Sequence, residues 1–204
     1  MDTPRLIIRP AAPGDAAAIL DIYRNFILNT TVTFEETVPT LEQFRARMDS
    51  IMAEYPFLVC EDGGRIAGYA YAHRHQSREA YRYSAELSIY LRPHYTGLGI
   101  GRAMCDAMVE LLRMQGVQTV YSAVSMPNDA SCALHEAMGF EQAGLWKNTG
   151  YKKGRWIDIL WYQLALGDYP EKPADLITFD QINAASVAAV LTNASSRVGG
   201  QVEE

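Results

Sequence analysis

The amino-acid sequence predicts an α+β fold in a single domain, and three observations support this prediction. Apolar runs of strand length occur beside amphipathic segments with helical spacing, in the order β-α-α-β-β-β-α-β-α-β-β. Short glycine-containing turns join several neighbouring strand segments, which favours antiparallel hairpins. The chain has 204 residues, of which 49% are hydrophobic, and this is enough for one sizeable core but suits one domain better than two.

The first quarter of the chain predicts a strand followed by two helices. Arg5–Arg9 is a short β-rich run, and Pro13-Gly14-Asp15 then supplies a turn and a helix N-cap. The segment that follows, AAAILDIYRNFIL, is amphipathic with helical spacing. Thr30–Phe34 is polar and β-branched, which favours a loop. Thr40 and Gln43 form a capping box that begins a second helix, LEQFRARMDSIMAEY.

The middle of the chain predicts three strands and a longer helix. The runs PFLVCED and RIAGYAYAHR flank a turn at Asp62-Gly63-Gly64, which indicates an antiparallel hairpin. Tyr83–Leu91 is a further strand, and a glycine-rich loop follows at Gly97–Gly101. The next segment, GRAMCDAMVELLRMQ, has one apolar face and ends at Gly116, as an amphipathic helix does.

The last part of the chain predicts a strand, a short helix and a final hairpin. These are VQTVYSAVS, DASCALHEAM and a hairpin that turns at Lys152-Lys153-Gly154. The composition changes after Gly167. We expect a helix at 181–191 in this region and then a polar, disordered end.

Charge and cysteine content exclude several classes of protein. The net charge is −6 and the isoelectric point is about 5.3, so the overall field does not attract nucleic acid or an anionic membrane. Cys60, Cys105 and Cys132 lie far apart in apolar segments with no zinc-like spacing, so we expect buried reduced thiols and no metal. The N-terminus lacks the apolar run of a signal peptide, and no stretch has the length of a membrane span, so we expect a cytoplasmic protein.

The loop Thr96-Gly97-Leu98-Gly99-Ile100-Gly101-Arg102 is the strongest chemical signal in the sequence. Alternating glycines let backbone N–H groups approach a ligand, and the positive end of the following helix dipole points to the same place. The loop therefore predicts a pyrophosphate site, although a plain strand-to-helix turn would use the same residues. It follows the fourth strand rather than the first and lacks Gly-Lys-Ser/Thr, so neither a Rossmann site nor a P-loop fits.

At this loop the sequence resembles the GNAT acetyltransferase superfamily, and within it the phosphinothricin and methionine sulfoximine acetyltransferases. The resemblance runs from about Leu6 to Leu166. The segments that carry it are IIRPAAPGD, TVTFEE, YPFLV, IAGYAYA, YRYSAELSIYL, PNDASCALHEAMGF and GYKKGRWID. It implies a mixed, mostly antiparallel sheet with helices on both faces and strands that splay at an acetyl-CoA notch. It also implies a homodimer, an acetyltransferase domain at 1–167 and an extension at 168–204.

The resemblance also implies roles for individual residues. Glu86, on the strand before the loop and opposite the apolar row Leu87, Ile89 and Leu91, holds the position of the general base. His135 stands where many members of the superfamily carry a proton-donating tyrosine, with simple packing as the alternative. The residues expected to hold the cofactor are Ile89, Tyr90 and Leu91 through their main chain, the loop from Thr96 to Arg102, Asn128 and Ser131.

The acceptor pocket is expected from scattered residues, and two departures from the family pattern bear on it and on the loop. The candidates are Phe34, Arg78, Tyr81, Tyr83, Lys153 and Trp156, with Arg78 suited to a substrate carboxylate. The relatives tend to show a tryptophan followed by a basic residue where this chain has His75 and Gln76, which leaves the substrate open. Thr96 replaces the usual Arg or Gln of the loop, and Arg102 is expected to supply the missing charge.

The sequence predicts direct acetyl transfer from acetyl-CoA to an amine, with Glu86 taking the proton and no acyl-enzyme. The first expectation for the acceptor is an amino acid of the phosphinothricin, methionine sulfoximine or methionine sulfone type, acetylated on its α-amine as a detoxification or resistance step. A polyamine, an aminoglycoside or a protein N-terminus are alternatives, since the acidic chain suits a cationic acceptor. A non-catalytic acyl-CoA-binding module and a ligand-free partner-binding domain are alternatives of other classes.

Overall fold

One mixed β-sheet organises the molecule, a computed structural model that describes residues 6–198. Within that range the sheet has seven strands in the order β1-β2-β3-β4-β5-β7-β6. Neighbours pair antiparallel except β4 and β5, which pair parallel, so the expectation of a mixed and mostly antiparallel sheet is confirmed. The strands are β1 (Leu6–Pro10), β2 (Phe57–Asp62), β3 (Arg65–Arg74), β4 (Ser84–Leu91), β5 (Thr119–Ser125), β6 (Glu141–Lys152) and β7 (Arg155–Ala165).

Helices cover both faces of this sheet. They are α1 (Ala16–Asn29), α2 (Leu41–Met52), α3 (Ile100–Gln115), α4 (Asp129–Ala137) and α5 (Ala184–Val198). On β2, Phe57 and Val59 pack with α1 and α2, whereas Leu58 and Cys60 pack with α3 and α5 in a second core. The alternation follows from the twofold repeat of a strand and confirms the predicted arrangement of helices on both faces.

Local sequence signals set most of the element ends. The capping box of α2 is formed as predicted, because Gln43 N–H donates to Thr40 Oγ1 (3.2 Å) and Thr40 N–H donates to Gln43 Oε1 (2.9 Å). Helix α2 ends at Met52 rather than continuing to Tyr55, since Tyr55 precedes Pro56 and the residue before a proline disfavours helix. Asp15 takes the N-cap position of α1, but its side chain makes no capping hydrogen bond to that helix.

The prediction for the C-terminal segment is wrong in one respect. A helix was expected at 181–191 with disorder after it, but α5 begins at Ala184 and continues to Val198. Leu191, Ala194 and Val198 form a buried stripe at helical spacing, and this stripe packs into the core shared with α3. The serines and asparagine between these positions obscure that pattern in the sequence. The final residues, 199–204, lie outside the described range.

Helix α5 also covers the outer edge of the sheet. The hydroxyl of Ser195 accepts a hydrogen bond from the Ile8 N–H on β1 (2.9 Å). An edge strand carries free backbone groups on its outer side, and Ser195 occupies one of them. Helix α5 therefore packs as part of the same body as the sheet. No helix within residues 6–198 has the length and apolar character needed to cross a membrane.

Candidate active site

The gap between β4 and β5 is the main feature of the site. Strand β4 pairs with β3 from Ala85 to Leu91, but within the described chain it pairs with β5 only over Ser84–Glu86. One further link remains, a hydrogen bond that Ser122 Oγ donates to the Leu87 carbonyl (3.2 Å). Beyond it the two strands separate, so backbone groups of β4 are free to bind a ligand in the manner of an added strand. We call this gap and its lining the cleft.

The cleft contains a cavity of about 450 Å³. Four segments of the chain supply most of its lining: β4, the glycine loop, β5 and the beginning of α4, with Phe26 and Val32 added from α1 and the loop after it. Most of the residues expected to hold a cofactor are brought together here, namely Ile89, Tyr90, Leu91, Thr96, Gly97, Gly99, Gly101, Arg102, Asn128 and Ser131, and His135, expected as a general acid, lines the same cavity. Leu98 and Ile100 belong to the same loop, but their side chains pack into the core.

The glycine loop has the backbone conformation that its sequence predicts. Gly97 (φ +80°) and Gly99 (φ +75°) adopt left-handed conformations that other residues rarely take. Gly99 is the N-cap of α3, and its carbonyl accepts the first hydrogen bond of the helix from the Ala103 N–H (3.0 Å). The N–H groups of residues 100–102 precede that bond and have no acceptor within the helix. They form an anion-binding helix start at the rim of the cleft.

Arg102 does not point freely into this loop. Its Nε lies 3.0 Å from Asp106 Oδ1, one helical turn along α3, and its Nη1 donates to the Ala137 carbonyl (2.9 Å). Asp106 also binds Arg197 from α5 (2.7 Å). Arg102 was expected to replace the charge that Thr96 lacks; it lines the cleft, but its guanidinium is held by Asp106, a carboxylate that it shares with Arg197. The hydroxyl of Thr96 is engaged as well, since it donates to the Pro93 carbonyl (2.8 Å).

Helix α4 presents an unsatisfied polar atom to the cleft. Asn128 caps the helix as predicted, because its Oδ1 accepts from the Ser131 N–H (3.3 Å). His135 is 2% exposed, and its Nδ1 donates to the Ser131 carbonyl (2.7 Å). The Nε2 atom of His135 and the hydroxyl of Ser125 are buried without a partner among the described residues, and both residues line the cavity. Buried polar atoms without partners indicate a ligand with amide or hydroxyl groups, which fits a pantetheine chain.

Glu86 stands where β4 and β5 part. It is the last residue of β4 that pairs with β5, opposite Tyr121. Leu87 is buried in the core on the α3 face, so the alternation of the strand places Glu86 on the opposite face, as predicted. The carboxylate is partly shielded, with 20% of the side chain exposed, and Oε2 lies 3.4 Å from His75 Nδ1. Glu86 lies next to the point where the strands part, but it is not among the residues that line the cleft cavity in the described chain.

The residues expected on the acceptor side are not gathered in one pocket. Phe34 lies against Gly150, and Lys153 Nζ donates to the Leu28 carbonyl (2.6 Å). Trp156 is 62% exposed and packs edge-on against Tyr151. Tyr81 ends a short 3-10 turn beside His75, with Arg78 before that turn and Tyr83 after it. None of these six residues is among those that line the cleft cavity in the described chain.

Several residues of the site were missed by the sequence prediction. Strand β5 contributes Ser122, Ala123, Val124 and Ser125 to the cavity, and α1 contributes Phe26. Their participation depends on which strand lies beside β4, and no local pattern records that. His75 was noted only as a departure from the family, yet it is the residue whose ring lies beside the Glu86 carboxylate.

Cysteine chemistry does not fit this site. Burial raises the pKa of the Cys60 and Cys105 thiols to about 12, so both stay protonated at neutral pH. Cys132 is half-buried rather than buried as expected, and its thiol contacts the sulfur of Met126 (3.8 Å). Within residues 6–198 no group of three or more His, Cys, Asp or Glu side chains is arranged to hold a metal ion.

Known proteins share this arrangement. The profile of the acetyltransferase (GNAT) domain matches residues 8–161. The phosphinothricin N-acetyltransferase of Streptomyces viridochromogenes is 34% identical over 76% of this chain and 85% of its own length. A methionine sulfoximine/methionine sulfone acetyltransferase of Pseudomonas aeruginosa is 36% identical over 78% of this chain and 94% of its own. The crystal structure of a phosphinothricin acetyltransferase from Sinorhizobium meliloti with acetyl-CoA superimposes with a TM-score of 0.81, at 37% identity, over 87% of this chain and 98% of that one.

A splayed sheet with a glycine-rich helix start and a carboxylate at the point of divergence defines an acyl-CoA-dependent N-acetyltransferase. The chain belongs to the GNAT acetyltransferase family. Its acetyl donor is acetyl-CoA.

Proposed function

We propose that this enzyme acetylates the α-amino group of a small amino-acid-like substrate of the phosphinothricin, methionine sulfoximine or methionine sulfone type. The observation that carries the proposal is the separation of β4 from β5 directly after Glu86, with the glycine loop at the other end of the same cleft. The names of the relatives support the substrate class. Detoxification of such amino acids is the physiological effect that we propose.

In this mechanism Glu86 is the general base. An ammonium group must lose a proton before its nitrogen attacks, and a carboxylate at the divergence point takes that proton directly or through one water. Acetyl-CoA supplies the thioester carbonyl that the amine attacks. Transfer is proposed to be direct: the raised pKa of the Cys60 and Cys105 thiols leaves them poor nucleophiles, and none of the three cysteines lines the cleft cavity in the described chain.

The cofactor is held mainly by backbone groups. We assign the pantetheine chain to the free main-chain groups of Ile89, Tyr90 and Leu91 and to the side chains of Asn128 and Ser131. The pyrophosphate is assigned to the N–H groups of the glycine loop and the first turn of α3. The ion pair with Asp106 holds the Arg102 guanidinium on α3, so we assign the pyrophosphate mainly to backbone N–H groups and to the helix dipole.

The geometry of His135 favours a hydrogen-bond acceptor over a general acid. A carbonyl cannot donate, so the short contact with the Ser131 carbonyl places the ring proton on Nδ1. Burial lowers the pKa of His135, which keeps the ring neutral and leaves Nε2 with a lone pair. We infer that Nε2 accepts a hydrogen bond in the cleft, so the departing thiolate takes its proton from another source.

The acceptor residues, the assembly and the domain limits remain proposals. Phe34, Arg78, Tyr81, Tyr83, Lys153 and Trp156 are proposed to approach the acceptor when both substrates are bound. We propose a homodimer, since β6 is an edge strand whose residues are mostly exposed. We also propose that 168–204 is an extension attached to an acetyltransferase domain at 1–167. The cytoplasmic location stays a prediction.

The test is a thiol-release assay with acetyl-CoA and a panel of amines. We expect turnover with methionine sulfoximine, methionine sulfone or phosphinothricin, and preference for a polyamine, an aminoglycoside or a peptide N-terminus would overturn the substrate class. Glu86→Gln should lower kcat by about 10²- to 10⁴-fold, while acetyl-CoA affinity measured by calorimetry stays within about twofold. Glu141→Gln is the matched control, because Glu141 is exposed at the start of β6. Unchanged turnover in Glu86→Gln would remove the base assignment.

A further inference from the structure

His75 lies beside the proposed base at the end of β3. Its backbone N–H donates to the Ser84 carbonyl (3.2 Å), which extends the β3–β4 ladder by one residue. Its Nδ1 lies 3.4 Å from Glu86 Oε2, and only 15% of its side chain and 20% of that of Glu86 are exposed. The Nδ1 atom is shut off from solvent and has no hydrogen-bond partner in the part of the chain that the structure describes. The carboxylate is thus the nearest acceptor available to it.

Aromatic side chains from three segments fix the imidazole ring. Tyr121 of β5 stacks on it with ring centroids 4.4 Å apart, and Trp161 of β7 meets it edge-on at 5.5 Å. Tyr81 approaches the ring edge-on at 6.4 Å. A ring held on several sides cannot turn freely, so its Nδ1 stays close to the carboxylate. The titratable groups that face this ring are therefore Glu86, Tyr81 and Tyr121.

His73 provides a natural comparison on the same strand. It is the register partner of Glu86 across the β3–β4 pair. Its Nδ1, however, is 2.9 Å from the Arg74 carbonyl, and its ring stacks on Tyr71 at 5.8 Å. The Nδ1 atom of His73 thus lies beside a backbone carbonyl although His73 is the register partner of Glu86. The Nδ1 atom of His75 has no such partner among the described residues.

We propose that His75 is a positioning residue for Glu86. Its Nδ1–H donates to Glu86 Oε2 and holds the carboxylate so that the other oxygen faces the acceptor amine. The proposal rests on Glu86 being the base of the proposed function. The 3.4 Å separation is longer than a formed charge-assisted hydrogen bond, and such contacts often shorten only when substrate is bound.

Two substitutions separate this role from simple ring packing. His75→Phe keeps an aromatic ring for Tyr121 and Trp161 but removes the donor, whereas His75→Asn keeps an N–H donor near the Nδ1 position and removes the ring. We expect His75→Phe to lower kcat by about tenfold, with the KM for acetyl-CoA unchanged, and His75→Asn to retain most of the activity. If the role were packing, the order of the two variants would be reversed, and that result would overturn the proposal.

A double substitution gives a readout that ring packing does not provide. If His75 acts only through Glu86, adding His75→Phe to Glu86→Gln should lower kcat by no more than about twofold further. A further loss of about tenfold in the double variant would show that His75 acts independently of Glu86, and it would overturn the proposal. Acetyl-CoA affinity and thermal midpoints confirm that each variant is folded.

Controls separate this inference from the function on which it rests. His73→Asn removes the other histidine of β3 and should leave kcat within about twofold, because His73 Nδ1 faces the Arg74 carbonyl. If Glu86→Gln keeps its turnover, the proposed base itself fails. If Glu86→Gln is inactive but His75→Phe matches the wild type in kcat, only the role of His75 is overturned.

Discussion

The two sides of the cleft are built from different parts of the chain. The cofactor side is built mainly from backbone groups of β4, the glycine loop and the start of α3, together with side chains at the beginning of α4. The acceptor side depends on side chains from three distant segments, around Phe34, around Tyr81 and around Trp156. A site made of main chain is present as soon as the local fold forms. A site made of distant side chains depends on the conformation of loops and turns, and here the six candidates do not line one cavity.

This difference explains what a sequence reveals about an enzyme of this kind. Glycines at positive φ and a helix start leave a short signature, so a pyrophosphate site is predictable from one loop. The acceptor is specified by residues whose proximity is visible only in three dimensions.

The first prediction concerns the backbone of the loop. Gly99→Ala should raise the KM for acetyl-CoA by about tenfold, because a side chain at φ +75° costs about 1–2 kcal/mol. The KM for the amine should change little. Gly14→Ala is the matched control, since an added Cβ meets no atom within 4 Å at either glycine and Gly14 has no positive φ. Steady-state kinetics in each substrate measure the effect, and equal KM values in both variants would contradict a backbone site.

The second prediction addresses the acceptor side. Arg78→Ala should raise the KM for the amino-acid acceptor by about three- to tenfold, through loss of a charged contact with its carboxylate. The KM for acetyl-CoA should stay constant. Arg45→Ala, an exposed arginine on α2, serves as the control. A rise in the KM for acetyl-CoA instead would show that the two sides are not separate.

The third prediction has the smallest effect on activity. Replacing Cys60, Cys105 and Cys132 with alanine should leave kcat within about twofold, because direct transfer from acetyl-CoA to the amine uses no thiol nucleophile of the protein. The thermal midpoint should fall by a few degrees, since each buried thiol that is lost costs about 1 kcal/mol. Loss of turnover in a folded triple variant, or a trapped acyl-enzyme in the wild type, would contradict direct transfer.

The sequence predicted the order of elements, since each depends on local periodicity and local caps such as Thr40 with Gln43. It placed Glu86 on the strand that precedes the glycine loop, and the structure has the same order. It did not predict where β4 leaves β5, because strand pairing between distant segments sets that point. The pairing of His75 with Glu86 depends on the same sheet register and on Tyr121 and Trp161 from later strands.

Two other errors concern residues that lie close together in the sequence. Arg102 and Asp106 are spaced i,i+4 on α3, so their ion pair was visible in the sequence. The sequence prediction instead assigned Arg102 to the anion in the glycine loop. The end of α5 was assigned to disorder because polar residues separate Leu191, Ala194 and Val198. Their spacing of three and four residues is the helical signal that was available.

The hydroxyl of Ser195 on the rim of β1 has a consequence for how copies of the protein can associate. With that rim occupied, β6 is the other terminal strand of the described sheet, and it is long and mostly exposed. If two molecules associate through β6, each contributes the same surface, so the interface is self-complementary and the assembly closes as a dimer. Removing α5 would expose β1 as a second edge strand in every molecule, and open-ended polymers would then compete with the dimer.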